Sequence, residues 1–277
     1  MEFHADLVRL FDEEMLKFLA DLADRPEGLA PARIDMMGHT LRSRFEEDLG
    51  SLNELFLDAI RAGLAQVRIL LLDPLSFGDQ VREVLQGQYA SGEILRRRIV
   101  DFGDPEEGDI RVSLAKIKDE WLPAGRDGLA NQRRPGGPSP PAELLERFRR
   151  GVQRAQRRVG RRALNGVGEV IERHPAPGPA ATDASPGRIR PSGGPSRGAP
   201  RSAVEVRVTR RVMYVSTLRL ANRMVVTLYK KRGLATHSHG FTVEEGEAAF
   251  GSYDQEFEGI WFEAGRDAQV LRDLLGR

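Results

Sequence analysis

Histidine is the side chain to test first for chemistry, since the chain contains no cysteine and only five histidines, His4, His39, His174, His237 and His239. Transfer of a phosphodiester through a covalent intermediate needs an imidazole to attack phosphorus. It also needs a lysine two residues on to neutralise the phosphoryl oxygens. Two positions after the five histidines stand Asp6, Leu41, Ala176, His239 and Phe241. None is lysine, so no catalytic residue is assigned, and the balance falls against an enzyme. A phosphate-cradling glycine loop and a dinucleotide fingerprint are equally missing.

Other polar residues suit binding better than catalysis. His39 follows Gly38 at the end of a short apolar segment, and Asp73 ends a neighbouring one, where the crevice of an α/β sheet opens. Asp73 before Pro74 reads equally well as a turn or cap residue. His237-Ser238-His239 puts two imidazoles on one face of an extended segment. A third metal ligand is not evident, Asp73 and Glu244 being the nearest guesses, so neither metal nor cofactor is expected. The candidate ligand-binding set is His39, Thr40, Asp73, Arg219, His237 and His239. The acidic cluster Asp101, Asp104, Glu106, Glu107 and Asp109 reads as the favoured start of a helix rather than a calcium loop.

Charge is the strongest quantitative signal. The net charge is only +1, but residues 1–131 sum to −10, residues 132–232 to +17 and residues 233–277 to −6. Such polarity points to a polyanionic partner or to attraction between the middle of the chain and its ends. Arginine outnumbers lysine 37 to 5, a bias that a GC-rich genome alone also produces. Within the basic region, residues 142–172 line up Leu145, Phe148, Val152, Ala155, Val159, Ala163, Val167 and Val170 at helical spacing. Arg147, Arg150, Arg154, Arg157, Arg158 and Arg161 fall mostly on the other face and are the candidate nucleic-acid contacts. Three readings stand open for this helix: a solvated linker, a nucleic-acid contact, or a membrane-surface helix.

The elements that must position these residues follow from periodicity. Helices are expected over 5–24, 52–62, 78–99 and 107–121, and strands over 34–38 and 67–72. Strand, helix and strand within about forty residues make a βαβ unit and hence a parallel pair. Between 126 and 203 lie eleven of the sixteen prolines. That composition buries too little apolar area to offset the entropy of ordering. Strands resume over 204–208, 212–220, 224–229 and 241–243, with a turn at Ala221-Asn222-Arg223. A helix carrying Phe250, Phe257 and Trp261 follows, and a short one over 266–275. The expected organisation is residues 1–125 and 204–277 as two parts of one α/β domain, split by a disordered basic insertion at 126–203.

In this order, four stretches resemble a bacterial family with a degenerate phospholipase D-like fold. They are Ile34 to Leu41, Val67 to Pro74, Tyr214 to Val226, and Phe250 to Trp261, within roughly 30–122 and 204–265. The resemblance implies a mixed sheet with flanking helices, in regulatory proteins that often sit behind helix-turn-helix or other signalling modules. Two departures stand out. The long insertion replaces a short connection, and Ala221-Asn222 stands where the family commonly has an acidic pair.

The first reading is therefore a non-catalytic regulatory or sensor module, binding a small molecule or protein partner at the sheet crevice. The alternatives are a nucleic-acid-binding protein using the basic insertion, and a phosphodiesterase-like enzyme with an unrecognised catalytic set. The longest apolar run, Ile69 to Leu72, is too short to span a bilayer, and the N-terminus lacks a secretory pattern, so a cytoplasmic location is expected.

Overall fold

The computed structural model describes residues 3–4, 7–26, 29–38, 41, 50–72, 109–132, 142–165, 202–211, 213–228 and 240–264. Its centre is a mixed seven-stranded sheet: β1 (Phe3–His4), β2 (Ala32–Gly38), β3 (Ala65–Leu72), β4 (Val204–Thr209), β5 (Val215–Leu220), β6 (Arg223–Leu228) and β7 (Gly240–Glu244). The spatial order is β1-β7-β6-β5-β2-β3-β4. The strands β2, β3 and β4 run parallel, and β5, β6 and β7 form an antiparallel meander joined to β2. The expected βαβ unit is present, with Ile34 opposite Val67 and Val67 opposite Val204. Strands so covered on both faces need near-continuous apolar runs, as in Ile69-Leu70-Leu71-Leu72, all at most 1% exposed.

Alternation sends the two sides of each strand into separate cores. Ile34, Met36, Val67, Ile69, Val204 and Leu218 face one core together with α1 (Leu7–Ala23), α2 (Gly50–Arg61) and three further helical segments. Met37, Leu70, Met224, Phe241 and Val243 face the other, closed by α6 (Ala248–Ala264) through Phe250, Phe257, Ile260 and Trp261. In the first core Phe56 of α2 has ring neighbours at 6.0 Å on both sides, Phe18 and Trp121.

Two boundaries differ from expectation. The helix expected to stop at Trp121 continues as α3 (Asp109–Lys116), a π turn (Ile117–Trp121) and α4 (Leu122–Gln132). Pro123 would ordinarily break a helix, because it lacks an N–H and its ring meets the carbonyl four residues back. The wider π turn lies directly before it, and Leu122 N–H bonds to Ile117 O across five residues. The Gly125 carbonyl accepts from Ala203 N–H, and the Ala203 carbonyl from Val67 N–H, so the first turn of α4 is tied to the residue that precedes β4.

The second difference concerns the expected insertion at 126–203. Residues 126–132 belong to α4, and α5 (Ala142–Asn165) packs on α1 and α2 with Leu145, Phe148 and Val152 buried. Composition alone hid this, because a single apolar stripe buried against two helices suffices to hold an otherwise arginine-rich segment. Gly151, which lowers intrinsic helix stability, sits where α5 crosses Leu55 of α2, and a Cβ there would overlap the leucine. The expected helix ran to 172; residues 166–201, like the helices expected over 78–99 and 266–275, lie outside the described residues.

Candidate functional site

The basic helix α5 carries eight arginines and two glutamates between Ala142 and Asn165. Its arginines divide into two groups. Arg147 and Arg149 fasten the helix to its neighbours. The Arg147 guanidinium donates through Nε (2.9 Å) and Nη2 to the two carboxylate oxygens of Asp58 on α2, which also pairs with Arg61 at 3.1 Å. The hydrogen bond with Asp58 raises the Arg147 pKa above the ordinary arginine value. Arg149 donates to the Ala23 carbonyl, the last residue of α1, at 3.1 Å. A basic side chain on a helix C-terminus satisfies an orphan carbonyl and complements the helix dipole.

The second group faces away from the core. Arg150, Arg154 and Arg157 are exposed, and none forms an ion pair with a described carboxylate. Arg150 donates to the Glu146 carbonyl within its own helix, at 3.3 Å. Together with Arg147 and Gln153 these residues line a surface hollow of about 420 Å³. Spacings of three and four keep them on one face over two turns, about 10 Å of helix axis. The opposite face, Leu145, Phe148, Val152 and Ala155, is spent in the core. Arg158 and Arg161 lie on the same helix, and their side chains are outside the described residues.

A second charged constellation lies on the other side of the sheet, beneath α6. The register places Arg219, Asp35, Arg68 and Glu205 side by side across β5, β2, β3 and β4. Asp35, 1% exposed, accepts from Arg33 Nε at 2.5 Å and from Arg68 at 2.6 and 3.0 Å. On α6, Glu258 accepts from Arg33 and Arg68, and Asp254 from Arg33 and Arg219. Three arginines thus meet three carboxylates, and each buried charge has an opposite neighbour. Burial works against the Arg68 charge, but its hydrogen bonds with Asp35 and Glu258 outweigh this and raise its pKa. The Arg68 guanidinium also lies 4.8 Å from the Phe257 ring centroid and 5.2 Å from that of Trp261.

Of the expected ligand set, Arg219 is the one described member, and it is engaged in this ionic layer rather than standing free in a crevice. His39, Thr40, Asp73, His237 and His239 lie outside the described residues, as do Asp101, Asp104, Glu106 and Glu107. Sequence reading passed over Asp35 and Arg68, although a charged pair at equivalent positions of two apolar strands was visible. It also passed over Asp58, whose pairing with Arg147 spans 89 residues. Among the described residues there is no group of three or more His, Asp or Glu placed to hold a metal ion, and no helix long and apolar enough to cross a membrane. No family model, curated protein or solved structure matches this chain.

Proposed function

We propose that this protein binds nucleic acid through the outer face of α5, without regard to sequence. The observation that carries the reading is the exposed row Arg150, Arg154 and Arg157 on a helix held in the fold by Phe148 and by the Arg147–Asp58 pair. Guanidinium groups on a fixed helix meet phosphates at little cost in ordering, and phosphate contacts position without reading bases. Packing weighs against the two competing readings of this helix. A solvated linker would leave Phe148 exposed, whereas it is fully buried. A membrane-surface helix needs a free apolar face, and over residues 145–155 that face lies against α1 and α2.

Duplex is favoured over single strands, because the aromatic residue of α5, Phe148, is buried in the core and offers no face on which bases could stack. The test is electrophoretic mobility shift of a mixed-sequence duplex by the full chain, compared with the Arg150→Ala/Arg154→Ala/Arg157→Ala variant. Binding is expected for the parent and a large loss for the variant; equal binding by both would remove α5 from the interface.

The phospholipase D-like assignment and a sensor role at the sheet crevice form a second reading. The mixed sheet with its β5–β6 hairpin supports it, and the absence of a histidine with lysine two residues on favours a non-catalytic role within it.

A further inference from the structure

A pocket of about 440 Å³ opens beside the β5–β6 hairpin, between α1 and the start of β2. That size is typical of small-molecule sites. Phe18 and Leu22, 6% and 3% exposed, contribute an apolar wall. The charged part of the lining carries both signs: Glu14, Asp21 and Glu245 against Arg25, Arg33, Arg219 and Arg223.

These charges are not equally committed. Arg33 and Arg219 are held by Asp35, Asp254 and Glu258 in the ionic layer. Arg223 approaches Glu14 at 3.7 Å and Glu244 at 3.3 Å. Neither approach has hydrogen-bond geometry, so Glu14 Oε2 and Arg223 Nε are buried polar atoms without a hydrogen-bond partner. Both atoms are buried, so these two side chains form a wall of the pocket rather than contacts for an occupant. Asp21 and Arg25, four residues apart, pair with no described side chain. Asp21 lies on the last turn of α1 and Arg25 just beyond the helix end, both on the pocket wall. At the rim, Ala221 takes a positive φ of 55°, as the two-residue turn between β5 and β6 requires.

We infer that this pocket binds a small zwitterion of the α-amino acid class. Its ammonium group donates to Asp21, and its carboxylate accepts from Arg25. The side chain lies against Phe18 and Leu22. A simple anion would leave Asp21 unanswered, and a simple amine would leave Arg25 so. A zwitterion answers both signs without changing the net charge of the site.

The experiment is calorimetric titration of the full chain with the individual α-amino acids as probes, alongside inorganic phosphate and a primary alkylamine. Saturable binding of at least one amino acid, with phosphate and amine silent, is expected. Asp21→Asn and Arg25→Gln, both at the surface, should each weaken that binding roughly tenfold or more, the value of one charge-assisted hydrogen bond. The thermal midpoint without ligand should stay unchanged in both. The Arg150→Ala/Arg154→Ala/Arg157→Ala variant should bind the amino acid like the parent. Failure of every amino acid to bind at millimolar concentration overturns the inference. So does phosphate binding as well as the best amino acid, or binding indifferent to both substitutions.

Discussion

Arg147 on α5 and Asp58 on α2 form a two-point hydrogen-bonded ion pair, with the carboxylate 6% exposed and the guanidinium reaching in from the surface. With Arg149 on the Ala23 carbonyl, the basic helix thus commits two of its arginines to its own docking. Asp58 draws on Arg61 as well, so the acid sits between two helices and fixes where α5 begins.

Replacing Arg147 with alanine should therefore loosen α5 rather than merely remove a charge. Asp58 keeps Arg61, and Arg147 is largely solvent-exposed, so the loss should be modest, about 1–2 kcal/mol after allowing for solvent screening. Urea denaturation of the variant would show it as a lower midpoint at unchanged slope. Hydrogen exchange should rise first in residues 142–157.

Asp35 should be far less forgiving. Its removal leaves Arg33 and Arg68 facing one another with only the partly exposed Glu258 in common. Breaking a buried pair on one side costs about 3–5 kcal/mol. Asp35→Ala should lower the unfolding free energy by that amount, whereas Glu258→Gln, at a more solvated site, should cost about 1 kcal/mol or less. Equal effects would mean that burial does not govern this layer.

Much of the sheet was legible because its strands are short apolar runs broken by Gly, Pro and Asp-Pro, signals that survive without tertiary information. The helices of the basic region were legible in part. The stripe of Leu145, Phe148 and Val152 marks α5, but whether an arginine-rich helix docks depends on Gly151 and Asp58, and their roles exist only once α2 lies alongside. Pro123 misled for a similar reason. A proline reads as a stop, and the π turn that accommodates it has no local sequence signature. The ionic layer was invisible because Asp35, Arg68, Arg219 and Glu258 are distant in sequence and meet only through register and the placement of α6. Phe148 and Trp261 behave as their spacing suggests, both buried.

Gly128 lies where α4 passes the C-terminal end of α2, and a Cβ there would collide with the Ile60 carbonyl oxygen. Backbone cannot rotate aside as a side chain can. Gly128→Ala should destabilise by about 1–3 kcal/mol through overpacking, despite the higher helix propensity of alanine. Thermal unfolding would report a lower midpoint; a higher one would place α4 further from α2.

Tyr253 gives a pH signature. Burial, and then the charge of Glu256, raise its phenol pKa above the ordinary value near 10. The unfolded chain then ionises at lower pH than the folded one. Stability contributed by the neutral phenol is complete below about pH 10 and is lost as pH rises from there through the folded pKa. Alkaline stability curves of the parent and Tyr253→Phe should diverge above that pH, the variant falling less. Parallel curves would mean that the phenol titrates alike in both states.

The nucleic-acid reading is tested most directly by the salt dependence of duplex binding. Each phosphate neutralised releases condensed counterion, so log K falls with log salt by about 0.9 per contact. For a mixed-sequence duplex, the full chain should bind at low salt. The Arg150→Ala/Arg154→Ala/Arg157→Ala variant should show a slope shallower by about 2.7 if all three arginines contact phosphate. Scrambling the duplex sequence should leave both slopes unchanged. Identical slopes for parent and variant, or no binding by the parent at low salt, would contradict the account.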